Sequence, residues 1–330
     1  MSRKKSLLFV TVALFVVSLL LFSCTIPEQA AQPEEPPAEP QVQESDTAVP
    51  EPTSPPPEMV EPTEEPIEEP ALEPLPPDPQ VIEFSAEDGY ALKGTYYPAS
   101  VNPAPMVVLF HQAGFNEQMW QVIAPWLQNR GMGMASVGGG TGGVLAKPIF
   151  QPYTDPESFP EIPDNLQVSV FTFTYRCWES GNCSNPDRGG WLKDAEAAIN
   201  TAAVLPGVDP TRIITGGTSI GADGAGDACL LYNQAVGSGC LGAASFSPAS
   251  YLLVDYKETA DKLLALQVKV LCAASQGDSE CASTCNSLDD QPGYQKIIYP
   301  GNAHGVFMID PALDPDLLEE FIAFLVSLLA

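Results

Sequence analysis

The sequence predicts a three-layer α/β/α sandwich whose mostly parallel sheet of eight strands opens on an antiparallel hairpin. Three observations carry this. Eight short runs, apolar throughout or alternating, fall between residues 81 and 299. From residue 106 onward helix-compatible runs intervene between most of them, as in parallel strands joined by crossovers. Ahead of the first run lies a stretch so rich in proline and glutamate that it has nothing to bury. The core therefore belongs to residues 80–330, about 250 residues and enough for one domain.

In chain order, Arg3, Lys4 and Lys5 precede an apolar run over residues 7–22, which Ser23 and Cys24 close. That is the charged n-region and apolar h-region of a secretory signal. The ending Leu21-Phe22-Ser23-Cys24 resembles a bacterial lipoprotein box, and the resemblance implies that Cys24 becomes the lipidated first residue of the mature chain. The expectation is a signal peptide over 1–23 and a protein held to the cell membrane by lipid, on its extracytoplasmic side. An uncleaved anchor is the alternative, its run at the short end of the roughly 17–25 residues needed to span. Residues 24–79 follow, with repeats such as Pro33-Glu34-Glu35-Pro36-Pro37. Such a segment cannot offset its ordering entropy, and proline stiffness and glutamate repulsion extend it. It reads as a disordered stalk. About a third of the acidic side chains lie in it, which accounts for much of the net charge of -28. The remainder is also acidic and has no basic, aromatic-interleaved stretch, which argues against nucleic acid as a partner.

Within the domain, runs over 81–85 and 92–97 flank Asp88-Gly89, a hairpin turn signal. Residues 106–110 are continuously apolar, as a strand buried on both faces requires. A helix over 117–130 follows, closed by Gly131. The remaining strands are expected over 168–175, 212–216, 241–246, 268–273 and 295–299, with helices over 191–204, 222–232, 256–266 and 317–329. Residues 132–167 interrupt this alternation, glycine-rich over 138–143 and then rich in proline and aromatics. No Lys-Ser/Thr follows those glycines, so the phosphate-loop pattern is incomplete, and a rim or lid over the active site is the better expectation.

The stretch Gly217-Thr218-Ser219-Ile220-Gly221 sits between the strand at 212–216 and the helix at 222–232. A serine between two glycines at that junction reads as a nucleophile elbow. The turn is sharp and its backbone strained, so residues two positions from the serine must lack bulk. Strand, elbow serine, later acidic residue and late histidine, in the order Ser…Asp…His, resemble the α/β-hydrolase fold from about residue 81 to the end. Asn302-Ala303-His304-Gly305 and His111-Gln112-Ala113-Gly114 are similar to loops of dienelactone-hydrolase-like and peptidase-like esterases.

That resemblance implies a serine hydrolase that cleaves carboxylic esters through an acyl-enzyme. Ser219 is the nucleophile, and its hydroxyl needs a base within hydrogen-bond reach. Of the two histidines, His304 lies after the last strand, where the fold carries its base, and His111 lies in the loop facing the nucleophile. Asp278, after the strand at 268–273, is the acid that orients the imidazole, with Glu280 the fallback. Asp223 and Asp227, on the helix after the elbow, are expected to point elsewhere. The oxyanion hole takes the N–H of Ile220 and a second from the His111 loop, Ala113 or its neighbour Gln112. The family often has glycine where Gln112 stands.

Seven cysteines remain besides Cys24. Outside the cytoplasm they read as disulfides, with local pairs Cys177–Cys183, Cys229–Cys240 and Cys281–Cys285 the simplest and Cys272 left buried in its strand. A zinc site would need paired Cys-x-x-Cys or nearby histidines, so neither metal nor cofactor is expected. The expected partners are a small-molecule or polymer-borne ester and the membrane. Two other readings compete: a lipase or cutinase-like enzyme on long-chain or polymeric esters, and a non-catalytic binding lipoprotein that keeps the fold.

Overall fold

The computed structural model describes residues 78–128, 159–288 and 290–330. The expected signal peptide, Cys24, nearly all of the stalk and residues 132–158 of the interruption lie outside them. Eight strands form one sheet: β1 (Gln80–Ser85), β2 (Ala91–Tyr97), β3 (Ala104–Phe110), β4 (Ser169–Phe173), β5 (Val208–Thr218), β6 (Cys240–Phe246), β7 (Lys269–Ser275) and β8 (Tyr294–Tyr299). Their order is β1-β2-β4-β3-β5-β6-β7-β8. Pairing is antiparallel from β1 to β2 and from β2 to β4, and parallel across the rest.

Among the described residues six α-helices cover the two faces: α1 (Ile123–Leu127), α2 (Arg188–Ala203), α3 (Ile220–Val236), α4 (Tyr256–Ala265), α5 (Ser279–Ser287) and α6 (Leu317–Leu329). The alternation of strand side chains sorts the core into two layers. On β3, Met106, Val108 and Phe110 join Trp191 of α2 and Leu263 of α4 in one cluster. Val107 and Leu109 join Trp126 of α1 and Phe321 of α6 in the other. Both faces of the central strands are thus apolar and covered, the arrangement that parallel sheets need. Aspartates cap α2, α4 and α6: Asp187 accepts from Gly190 N–H at 3.0 Å, Asp255 from Glu258 N–H at 3.0 Å and Asp316 from Leu318 N–H at 2.7 Å. No helix among the described residues is long and apolar enough to cross a membrane.

Two local expectations are corrected. The helix expected from residue 117 is split into a 3₁₀ turn, Glu117–Trp120, and the short α1. Pro125 explains the break, because it brings no N–H to bond a carbonyl one turn back and fits only the first turn of a new helix. Helix α5 was not expected, since Ser279, Ser283, Thr284 and Asn286 are indifferent helix formers. Tertiary contact holds it, through buried Cys281, Ala282 and Cys285.

Cys177–Cys183 and Cys229–Cys240 are bonded as expected. The third bridge is not Cys281–Cys285 but Cys272–Cys285, with Cα atoms 5.7 Å apart, and Cys281 is a free, buried thiol. Geometry decides this. Residues four apart on a helix hold their Cβ atoms about 5–6 Å apart, whereas a disulfide needs about 3.8 Å. Cys285 instead faces β7, where Cys272 points toward the same layer. Peptide mapping of the unreduced chain should recover Cys272 joined to Cys285, with Cys281 alkylated only after denaturation. A Cys281–Cys285 peptide would refute the pairing.

Candidate active site

Ser219 stands at the junction of β5 and α3 with φ 55° and ψ -121°, a conformation that non-glycine residues rarely adopt. Its N–H donates to the Phe246 carbonyl at 2.9 Å. The flanking glycines are there because backbone meets backbone. A Cβ on Gly217 would lie 2.0 Å from the Gly221 carbonyl oxygen, and one on Gly221 would lie 2.2 Å from that of Phe110. The serine side chain sits at the carboxyl edge of the sheet, nearly buried.

Asp278 follows β7 at the N-cap position of α5, where its side chain makes no capping bond, and His304 follows β8. Their loops are tied together by Gln276 N–H donating to the Tyr299 carbonyl at 2.8 Å and Gly277 N–H to the Gly301 carbonyl at 2.7 Å. The side chains meet, with His304 Nδ1 2.7 Å from Asp278 Oδ2. Glu280 is exposed on the first turn of α5, away from this contact. No hydrogen bond joins the Ser219 hydroxyl to His304 among the described residues. In ligand-free sites such contacts are often long and close only with substrate bound.

His111 is differently placed. Its Nε2 accepts the Tyr175 N–H at 2.9 Å, so Nδ1 carries the proton and donates to the Gln112 carbonyl at 2.8 Å. Both ring nitrogens are occupied by backbone, and burial lowers the pKa to about 4, so the ring is a neutral brace rather than a base. The brace has a direction. The Gln112 carbonyl also accepts the Phe115 N–H at 3.3 Å. In a trans peptide the Ala113 N–H must point opposite to that carbonyl, away from His111. Ile220 opens α3, where the first N–H groups have no acceptor within the helix.

The Gln112 side chain is the departure from the resembled pattern, and it has its own job. Its Oε1 accepts the Val306 N–H at 2.9 Å, bridging the His111 loop to the His304 loop. Gly305, at φ 58°, leaves the room, since a Cβ there would lie 2.3 Å from that oxygen. Ser247 Oγ accepts the Gly305 N–H at 2.9 Å, so the residues after His304 are pinned twice.

Asp223 was expected to point away from the His304–Asp278 contact, and it does; Tyr251 and Cys281, beside that contact, were not expected there. Asp223, one turn past Ser219, accepts N–H groups from Ala249, Tyr251 and Leu252, and so pins the loop after β6. Burial raises its carboxyl to about 7 despite those bonds. The pinned loop brings the Tyr251 ring edge-on to His304, centroids 6.3 Å apart. Cys281 lies one helical turn past Asp278, its Sγ 3.9 Å from His304 Nδ1 and 3.4 Å from the Tyr251 hydroxyl. Burial pushes that thiol up to about 12. The odd cysteine count was the one signal in the sequence for a free thiol.

The strand order, the antiparallel first pair and the elbow together define the α/β-hydrolase fold. Solved structures with TM-scores of 0.50 and 0.51 share the fold. The structure resembles that of α/β hydrolase GrgF from Penicillium sp. sh18, with TM-score 0.51 and 11% identity over 77% of this chain and 99% of that one. It resembles DcsB, solved in complex with its substrate analogue, with TM-score 0.50 and 11% identity over 76% and 99% of the two chains. Dienelactone hydrolase from Anabaena variabilis ATCC 29413 matches with TM-score 0.48 and 14% identity over 76% and 97%. In sequence, the uncharacterized protein YfhR of Escherichia coli (strain K12) is 26% identical over 153 residues, 44% of this chain and 40% of YfhR. The match thus spans two fifths of that relative's length. No protein-family profile matches the chain.

Replacing Gln112 by Ala leaves the buried Val306 N–H without its acceptor. The expected cost is about 1–3 kcal/mol, read as a lower urea midpoint. An unchanged midpoint would show that the bridge is dispensable.

Proposed function

We propose that the chain is a serine hydrolase that cleaves carboxylic esters through an acyl-enzyme. The observation that carries this reading is the 2.7 Å contact of His304 Nδ1 with Asp278, at the sheet edge where Ser219 is held on a strained elbow. An aspartate on Nδ1 keeps that nitrogen protonated and leaves Nε2 free to take the serine proton. As Ser219 Oγ attacks the ester carbonyl, its proton passes to Nε2, and the charge on the carbonyl oxygen falls to the Ile220 and Ala113 N–H groups. The imidazolium then returns the proton to the departing alcohol. Water repeats the sequence in reverse and frees Ser219. Asp278 stabilises the imidazolium through the Nδ1 hydrogen bond. Gln112 acts in this scheme by holding the His304 loop, while its own peptide adjoins Ala113.

The substrate class is a small or polymer-borne ester. Hydrolysis of p-nitrophenyl acetate, butyrate and palmitate tests this. Ser219→Ala should abolish turnover, and Asp278→Asn should lower kcat by about 10⁴-fold. A rate that peaks at palmitate would move the assignment to a lipase. Equal rates with and without Ser219, and no labelling by a fluorophosphonate, would leave a binding protein on a hydrolase fold.

The same proposal places the domain outside the cytoplasm on a lipidated Cys24, with residues 24–79 as its stalk. Three disulfides within the described domain suit an oxidising compartment. In a bacterial host, labelled palmitate should enter the wild-type chain and not Cys24→Ala, and the variant should leave the acylated membrane fraction. Equal labelling would sink the anchor.

A further inference from the structure

The His304–Asp278 pair belongs to a wider set of donor atoms, which a buried thiol completes. Asp278, Cys281 and His304 each offer one ligand atom, and all of these lie within 4.8 Å of one another. Neither zinc-type spacing nor a second accessible histidine announces this in the sequence. The fold assembles it, because the start of α5 sets Asp278, its N-cap residue, one turn from Cys281, and the loop after β8 brings His304 against both. The three atoms differ in kind. A thiol sulfur, an imidazole nitrogen and a carboxylate oxygen together favour a soft or borderline cation over magnesium or calcium.

We propose that Asp278, Cys281 and His304 form an inhibitory site for a soft divalent cation such as zinc or cadmium. A tetrahedral zinc ion keeps its ligand atoms about 3.3–3.6 Å apart, given bonds of about 2.0–2.3 Å. The observed separations fall on either side of that, 3.9 Å for Sγ to Nδ1 and 2.7 Å for Nδ1 to Oδ2. The Cys281 and Asp278 ligand atoms lie within 4.8 Å of each other, so closing all three on one ion takes shifts of up to about 1 Å. Access is from the His304 and Asp278 side, whose side chains are 35% and 17% exposed, while Cys281 forms the buried floor. The Tyr251 hydroxyl, 3.4 Å from Sγ, is placed to donate to the thiolate once the cation has displaced its proton.

The inhibition follows from where the ring proton goes. The cation takes the Nδ1 lone pair, and the thiol proton leaves to solvent. The proton that Nδ1 carried moves to Nε2, since a neutral imidazole keeps one N–H. Nε2 is the nitrogen that must be vacant to accept from Ser219. The two anionic ligands balance the charge of the divalent ion. The base is thereby held in the wrong tautomer with its aspartate engaged elsewhere.

The inhibitory half rests on the hydrolase reading, and the binding half does not. The test titrates the full chain, disulfides intact, with cadmium while following the ultraviolet cadmium–thiolate charge-transfer band and p-nitrophenyl butyrate hydrolysis. Wild type should show a band saturating at one ion per chain through Cys281, with loss of turnover in step. Cys281→Ala, which keeps Cys24, should lack that band and be at least tenfold less sensitive while still hydrolysing ester. His304→Ala keeps the thiol but loses one ligand, and should bind cadmium at least tenfold more weakly. No Cys281-dependent band in wild type would overturn the site, as would equal sensitivity of Cys281→Ala. Undiminished affinity in His304→Ala would reduce it to a lone thiol and overturn it too. A chain that binds cadmium through all three residues yet hydrolyses no ester would keep the site and reject the hydrolase reading.

Discussion

The carboxyl edge of the sheet depends on a place where no side chain can fit. The end of β3 and the start of α3 touch through backbone alone, Gly221 against the Phe110 carbonyl and Gly217 against Gly221. Ser219 is forced to φ 55° between them, and strain of this kind costs about 1–3 kcal/mol. It persists because the surroundings over-determine it. The Ser219 N–H is held by β6, and the residues that follow are committed to a helix that buries most of its length. The contact also decides which peptide groups adjoin the serine. Ile220 opens the helix and the His111 loop leaves β3, and the two segments abut.

Around that contact the loops also hold one another through hydrogen bonds. His111 is fastened to Tyr175, Gln112 to Val306, Ser247 to Gly305 and Gly277 to Gly301. In each pair a backbone N–H is the donor, so what is fixed is chain path. Side chains such as His304 ride on that path and keep some exposure. Asp223 extends the pattern, taking three N–H groups of the next loop on one carboxylate. Polar groups this interdependent tend to be stiff when all are satisfied, and each link limits the freedom of its neighbours.

Much of the fold was legible because it follows from period and burial. Residues 106–110 announce a doubly covered strand, and Asp88-Gly89 a hairpin, without reference to anything distant. Asp278 and His304 could be singled out by chain order, though their 2.7 Å approach could not. What escaped was set by tertiary contact. The residues of α5 have little helical preference, and the helix exists because it packs. Pro125 was visible but read as part of a continuous helix. The disulfide error had the same root, since pairing by proximity in sequence ignores that a helix holds residues four apart too far from each other. Gln112 looked like a departure from a pattern until the glycine opposite it, Gly305, was seen to leave its space.

The bridge between Cys272 and Cys285 encloses Asp278 in a covalent ring spanning 13 positions. One side of the ring is the end of β7 and the other is a helix of weak intrinsic preference. Helices of that kind open and close at their ends more readily than the strands they pack on. Tethered at both ends, α5 can fray without letting its first residue drift from the strand. The carboxylate therefore keeps its address through fluctuations that would carry off the start of an unlinked helix.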